Sequence, residues 1–324
     1  MALTCSVPQG SVFGLKEFVV YTEDIVETIE KFAVNHHLYA DDSQLLTHVR
    51  LETVAEHRCR LELCVEHLGD WCSSRRLPLD PDKTELMWFG SRSNRTKRSQ
   101  LDASLNLGSV VIEPVHSVRD LGVILDGELS MIQHIGQISS ICFFHLRRLR
   151  KPRLVLDPSS MQRLISTFIM SRLDYCNAML AGLPACTLAP LQRVLNAAAR
   201  LMVGPTAEDR ISDVMRSLHW MPIEYRIRYK LCLLMHAVQN GTSPAYIVDI
   251  KTPISSLHGH RMLRSAATYQ YEIPRTRTKF DDRAFSVAGP QEWNNLPTNI
   301  RNIREVSSFK RAIKDILFKM TYSD

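Results

Sequence analysis

Between Leu15 and Ala33 the apolar residues Leu15, Phe18, Val19, Ile25, Val26, Ile29 and Phe32 recur at helical spacing, after a loop opened by Pro8 and Gly10. The spacing predicts loop, then helix. The short run His37-Leu38-Tyr39-Ala40, two acids, and Gln44-Leu45-Leu46-Thr47 is too short for a helix and reads as a hairpin with Asp41-Asp42 at its turn. A helix over about 53–72 should bury Leu61, Val65, Leu68 and Cys72, ending before the turn formers Pro78-Leu79-Asp80-Pro81-Asp82. Thr84 to Phe89 and Leu121 to Leu125 read as short strands, and Ser91 to Ser99 as a basic polar loop.

From Ile135 onward the pattern is helical. Ile135, Ile138, Cys142, Leu146 and Leu149 form one face. Asp157-Pro158 supplies an N-cap and a first-turn proline for a helix facing inward through Met161, Leu164, Ile165, Phe168 and Ile169. Leu188 to Met202 should stop at Gly204, and Ile223 to Val238 at Gly241. A last amphipathic helix is expected from Val306 to Lys319, and no internal repeat is visible. Short strands followed by helices make the expected class α+β.

A length of 324 residues suggests about two domains, and 45% hydrophobic residues suffice for a buried core. The net charge of +6 is unevenly placed: residues 1–150 hold 16 Lys and Arg against 20 Asp and Glu, residues 151–324 hold 24 against 14. A basic second half beside an acidic first half suits a nucleic-acid grip next to a carboxylate metal site, though a protein for a membrane surface or an acidic partner gives the same sum. The eight cysteines contain no C-x-x-C pair, so neither a zinc site nor a disulfide framework is expected. No signal peptide and no run of 18 apolar residues is present, so the expectation is an intracellular protein, nuclear or cytoplasmic, with no membrane partner.

Two adjacent carboxylates on a tight turn repel unless a cation lies beside them. Two divalent ions about 4 Å apart serve nucleotidyl transfer, and oxygen ligands suit Mg²⁺. An ordinary solvated Asp-Asp turn is the readier account of the dipeptide alone, so context decides. His36 and His37 are set aside as ligands because Mg²⁺ prefers oxygen.

The context is a series in fixed order: Ser6-Val7-Pro8-Gln9-Gly10-Ser11-Val12, then Tyr39-Ala40-Asp41-Asp42, Leu79-Asp80-Pro81-Asp82-Lys83-Thr84-Glu85 and Leu121-Gly122-Val123-Ile124-Leu125-Asp126. It resembles the later palm motifs of reverse transcriptases from LINE-type non-LTR retrotransposons. The resemblance continues through Ser171-Arg172-Leu173-Asp174-Tyr175-Cys176-Asn177-Ala178, Leu191-Gln192-Arg193, Asn196 to Leu201, Leu218-His219-Trp220-Met221-Pro222 and Trp293-Asn294-Asn295-Leu296-Pro297. It implies a partial palm over 1–130, a helical thumb-like region over 131–248 and a C-terminal extension over 249–324.

By that resemblance Asp41 is a metal ligand and Asp42 a second one, Tyr39 lies beside the primer end, and Gln9 and Gly10 approach template and nucleotide. Lys83 falls where polymerases place a proton donor for pyrophosphate, although a solvated surface lysine explains it equally. The strand Leu121 to Leu125 would be the primer grip. The implied cofactor is Mg²⁺, and the implied partners are an RNA template and DNA primer. Arg147, Arg148, Arg150, Lys151 and Arg153, and then Arg226, Arg228 and Lys230, are candidate phosphate contacts, with solvated helix faces as the alternative.

The family places fingers and a strand bearing another metal-binding aspartate before the Pro-Gln-Gly loop, and this chain begins at that loop. The expectation is therefore an incomplete two-metal site, inactive unless a complementing chain supplies the rest, with an unpaired edge on the Asp hairpin. Gly14-Leu15-Lys16-Glu17-Phe18 also puts two charges where the family packs apolar side chains. Three readings stay open: a fragment of an RNA-directed DNA polymerase, a non-catalytic nucleic-acid-binding remnant, and a translated fragment with no selected function.

Overall fold

The structure, a computed structural model, describes residues 13–77, 79–98, 102–108, 110–204, 210–248 and 269–322. The chain divides into two compact units, Met1–Val118 and Arg119–Asp324. The described chain is built of helices with a few short antiparallel strand pairs, the expected α+β class.

The first unit opens with α1 (Gly14–Tyr21) and α2 (Ile25–Glu30), so the single helix expected over 15–33 is broken. The cause is local. The Thr22 hydroxyl donates to the Phe18 carbonyl at 2.9 Å, and the Ile25 N–H turns back to the Thr22 carbonyl at 3.1 Å. Lys16 and Glu17 are exposed on α1, so neither charge is buried. The hairpin of β1 (Asn35–Tyr39) and β2 (Asp42–Leu46) follows, and its strands pair only with each other among the described residues.

Helix α3 (Val54–Ser74) buries Leu61, Cys64, Leu68 and Cys72, while Val65 sits at the edge of that face rather than in it. Two expectations fail next. Thr84 to Phe89 forms no strand, only a single parallel bridge from Leu86 to Pro114, because proline has no N–H with which to extend a ladder. The expected basic loop after Ser91 is instead α4 (Arg92–Arg98), begun by the Ser91 hydroxyl accepting from the Asn94 N–H at 3.4 Å. A hairpin of β3 (Leu105–Leu107) and β4 (Val110–Ile112) completes the unit. Its core is Ile25, Ile29, Val34, Leu61, Cys64, Leu68, Leu105 and Ile112.

The division between the units falls within β5 (Ser117–Asp120), which pairs with β6 (Val123–Asp126). The strand expected from Leu121 starts two residues later, since Leu121 (φ 43°) and Gly122 (φ 86°) form the left-handed turn between the two strands. Helix α5 (Ile132–Leu149) then buries Ile135, Cys142, Leu146 and Leu149, the expected face. Asp157 caps α6 (Pro158–Ile165) by accepting from the Ser160 N–H at 3.0 Å, with Pro158 in the first turn. A π-helical stretch, Ser166–Met170, carries α6 into α7 (Ser171–Asp174).

Next come α8 (Ala185–Val203), ended at Gly204, α9 (Ile211–Ser217), and α10 (Ile223–Gln239), which turns out at Asn240 and Gly241. The helices after α11 (Ala245–Val248) are α12 (Phe285–Asn294), α13 (Thr298–Arg301) and α14 (Val306–Tyr322). One core gathers α5 to α9 and the first turns of α10 around Ile165, Ile169, Leu191 and Leu195. A second joins the rest of α10 to α12, α13 and α14 around Met235, Trp293, Phe309 and Ile313.

Two buried histidines give this unit a pH dependence. His134 accepts from the Ile124 N–H through Nδ1 at 3.3 Å, and His236 stacks on Phe309 with ring centroids 4.1 Å apart. Burial, the largest influence on each, pulls both below the ordinary value of 6.5; for His236 it prevails over the Ile303 carbonyl and Glu305, which act the other way. The unfolded chain therefore takes up protons first as pH falls. Their contribution to stability is complete above about pH 6.5 and is lost on acidification through the folded-state values. Urea midpoints taken from about pH 8 down to about pH 5 should fall, with a smaller fall in His236→Gln; a flat profile contradicts this.

Candidate metal turn and nucleic-acid interface

The hairpin lies where the hydrophobic pattern places it, with its turn one residue earlier than the Asp41-Asp42 pair. β1 and β2 pair in the register Asn35 with Leu46 through Tyr39 with Asp42, leaving Ala40 and Asp41 as a two-residue turn. Leu38 and Leu45 face the core of the first unit and anchor the hairpin on it. Such anchoring is needed, because an isolated two-stranded hairpin is marginal in water. Ala40 adopts φ 52°, a left-handed conformation that costs a non-glycine residue about 1 kcal/mol.

Tyr39, Ala40, Asp41 and Asp42 are all exposed, Tyr39 by 61%. Among the described residues neither carboxylate has a hydrogen bond or an ion pair. Two unpartnered oxygen donors on a projecting turn are a donor set that suits a hard divalent cation such as Mg²⁺, which keeps several waters and is held by one or two carboxylates plus phosphate oxygens. Among the described residues no group of three or more His, Cys, Asp or Glu is arranged to hold a metal. Asp41 and Asp42 are thus two candidate oxygen donors and, among the described residues, not part of a closed cage.

Lys83 ends a one-turn helix, Pro81–Lys83, and pairs with Asp80, its Nζ 3.3 Å from Oδ2. Its side chain is 84% exposed. Asp80 also receives the Asp82 N–H at 3.1 Å, so this segment is a self-contained turn, and no hydrogen bond or ion pair joins Lys83 to Asp41 or Asp42. The structure therefore brings Tyr39, Asp41 and Asp42 together and leaves Lys83 with its own neighbour. Gln9 and Gly10 lie outside the described residues.

Asp126, the last residue of the Leu121 to Asp126 motif, holds a structural position that its sequence did not advertise. One oxygen accepts from the N–H groups of Glu128 (3.1 Å) and Ser130 (2.9 Å), the other from the Ser130 hydroxyl (3.0 Å) and the Met131 N–H (2.9 Å). Burial pushes this carboxyl up, and the hydrogen bonds from Ser130, Met131 and Glu128 outweigh it and hold the group below the usual range. The result fixes the left-handed residues Leu129 (φ 49°) and Met131 (φ 60°) at the entry to α5. The Tyr175 hydroxyl donates to the Leu121 carbonyl at 2.5 Å, tying a second motif to the same hairpin.

The candidate phosphate contacts separate into two groups. Arg226 is engaged by both oxygens of Asp174, with Nε 2.8 Å from Oδ1, and Arg228 Nε lies 2.8 Å from Glu292 Oε2. Both are half-buried internal ion pairs rather than free phosphate contacts, which corrects the reading of Arg226, Arg228 and Lys230 as an open basic face. Alternating charges along a helix signal solvation only if no acid meets them, and the acids come from α7 and α12, distant in sequence. Arg153 donates to the Leu201 carbonyl at 2.6 Å, closing the end of α8. Arg147, Arg148, Arg150 and Lys151 are exposed and, among the described residues, have no ion pair. These are the cations of that cluster without an acidic partner, Arg148 lying over the Phe144 ring at 5.5 Å.

No helix among the described residues is long and apolar enough to cross a membrane. Neither the curated proteins nor the solved structures contain a match to the chain. Over residues 1–125, which carry the Asp41-Asp42 hairpin and run to the strand before Asp126, the chain matches the family described as reverse transcriptase (RNA-dependent DNA polymerase).

Proposed function

We propose that residues 1–130 are the later part of the palm of an RNA-directed DNA polymerase of the LINE type, and that residues 131–324 are its thumb and C-terminal region. The observation that carries this reading is the exposed, unpartnered Asp41-Asp42 turn within a segment matching the reverse transcriptases. Asp41 and Asp42 would hold Mg²⁺, which when bound supplies charge neutralisation for nucleotidyl transfer. Tyr39 presents its ring at the strand end beside them, toward a primer terminus, and Gln9 and Gly10 approach template and nucleotide. Lys83 is a proton donor in this scheme only if a bound substrate draws it away from Asp80.

The exposed cations Arg147, Arg148, Arg150 and Lys151 would grip the backbone of an RNA–DNA hybrid, where each neutralised phosphate releases counterions. The 324-residue chain by itself is expected to bind hybrid without extending a primer, since two carboxylates without a third ligand among the described residues do not preorganise a two-metal site. A complementing chain would restore turnover. The non-catalytic reading, a binding remnant in the same intracellular setting, is favoured by that same lack of a third ligand.

Hybrid binding and primer extension with Mg²⁺ or Mn²⁺ test this directly. The expected result is binding that weakens steeply as salt rises, with no incorporation by the chain alone. Salt-independent binding contradicts the thumb assignment, and incorporation by the chain alone contradicts the need for a partner.

A further inference from the structure

We propose that the pocket bounded by Gln239, Asn240, Tyr269, Arg301, Asn302 and Arg304 is a binding site for a phosphate group, with the Arg301 guanidinium as its central donor. The pocket lies where the end of α10 meets the turn after α13 and has a volume of about 370 Å³.

Arg301 is 95% buried, its relative exposure being 5%. Its Nη2 donates to the Thr298 hydroxyl at 3.2 Å, while Nε and Nη1 are buried and have no partner. A buried guanidinium with two orphaned donors is costly, because desolvation is not recovered by any hydrogen bond. Burial correspondingly pulls its pKa below the ordinary arginine value. Both nitrogens are closed off from the pocket as they stand, so an oxyanion there would offset the buried charge and a small turn of the guanidinium, whose planar fork matches phosphate geometry, would bring them onto it.

The rest of the lining fits the same chemistry. Arg304 adds an exposed cation and Asn302 an exposed amide. Gln239 spends its carbonyl on the Tyr271 hydroxyl at 2.8 Å, which leaves its amide nitrogen as a donor. Asn240 already turns its amide nitrogen to the Arg304 carbonyl at 3.2 Å and to His236, holding the pocket wall in place. The nearby acid, Glu305, has its carboxylate taken by the N–H groups of Ser307 and Ser308 and by the Ser307 hydroxyl at the start of α14, and those bonds hold it down to about 2. The volume exceeds that of one phosphate, so a phosphodiester segment or a free phosphorylated small molecule can enter. The surplus of 24 basic over 14 acidic residues in the second half favours either polyanion.

The proposal does not depend on the polymerase reading, and its test avoids turnover. Thermal unfolding of the full chain is followed with inorganic phosphate against chloride at matched ionic strength. Arg301→Met is the partner variant: it keeps an unbranched stem and removes an unpaired buried charge, so it should fold at least as well as the parent. Expected is a saturable rise in melting temperature for the parent and a phosphate affinity weaker by about tenfold or more in Arg301→Met, as loss of a charge-assisted bond implies. Arg304→Gln should weaken phosphate several-fold, at roughly the level of one exposed charge. A short RNA strand that competes with phosphate assigns the site to a nucleic-acid backbone, and one that does not assigns it to a free phosphate compound. An equal response in the parent and Arg301→Met, or none in the parent, overturns the proposal.

Discussion

Trp293→Ala should destabilise the second unit by about 3–5 kcal/mol, the range for deleting a fully buried aromatic side chain. Trp293 is 0% exposed and lies at the centre of the core formed by α10, α12, α13 and α14. Its ring centroid is 5.8 Å from that of Phe309 and 6.5 Å from that of His236. Its indole N–H also donates to the Tyr269 carbonyl at 2.7 Å, so truncation loses this hydrogen bond as well as opening a cavity. The neighbouring motif residues act with it. Asn294 accepts from the Tyr271 N–H at 3.0 Å and donates to its carbonyl at 2.7 Å, Leu296 is buried, and Pro297 stands at the N-cap of α13. Urea unfolding should show a lower midpoint for the alanine variant and a smaller drop for Trp293→Phe, which keeps most of the area; a cost below about 1 kcal/mol contradicts this placement.

Much of this architecture was legible in the chain. The inward faces of α5 and α6, the Asp157 cap, the stops at Gly204 and Gly241, and the Asp41-Asp42 hairpin follow from local periodicity and turn chemistry, which act over a few residues. What was not legible depended on partners far away in sequence. Arg226 and Arg228 look like a solvated basic face until Asp174 and Glu292 arrive from other helices. The missing strand at Thr84 to Phe89 reflects what it was given to pair with, a proline, and not its own β propensity. The break at Thr22 and the start of α4 at Ser91 each turn on a single hydroxyl, a signal present in the sequence but weaker than the surrounding apolar or basic pattern. For the candidate site, Tyr39, Asp41 and Asp42 sit together on one turn as their order suggested. Lys83 carried no local signal of its pairing with Asp80 beyond the i,i+3 spacing, and Asp126 showed only an Asp-Gly turn where the structure has four hydrogen bonds.

Asp41→Asn with Asp42→Asn should separate the effect of the cation from that of the fold. Both side chains are exposed and unpartnered among the described residues, so their neutralisation leaves the hairpin's register and its Leu38 and Leu45 anchors in place. In chelator the parent turn places two negative charges beside an incoming phosphate chain, and the variant should bind RNA–DNA hybrid as well or better. Mg²⁺ should reverse the order. The parent then gains roughly tenfold in hybrid affinity from bridging its carboxylates to phosphate oxygens, while the variant gains nothing beyond general screening. Fluorescence anisotropy at fixed ionic strength reads both limbs, and an identical Mg²⁺ response in the two proteins would sink the assignment.

The most direct measurement is calorimetric titration of Mg²⁺ into the folded chain with hybrid already bound. The paired carboxylates at the tip of the β1–β2 hairpin predict a saturable uptake of cation that disappears when both are changed to asparagine. Uptake of the same size and affinity in the doubly substituted protein, or no uptake in the parent, would mean that this turn is not a metal site.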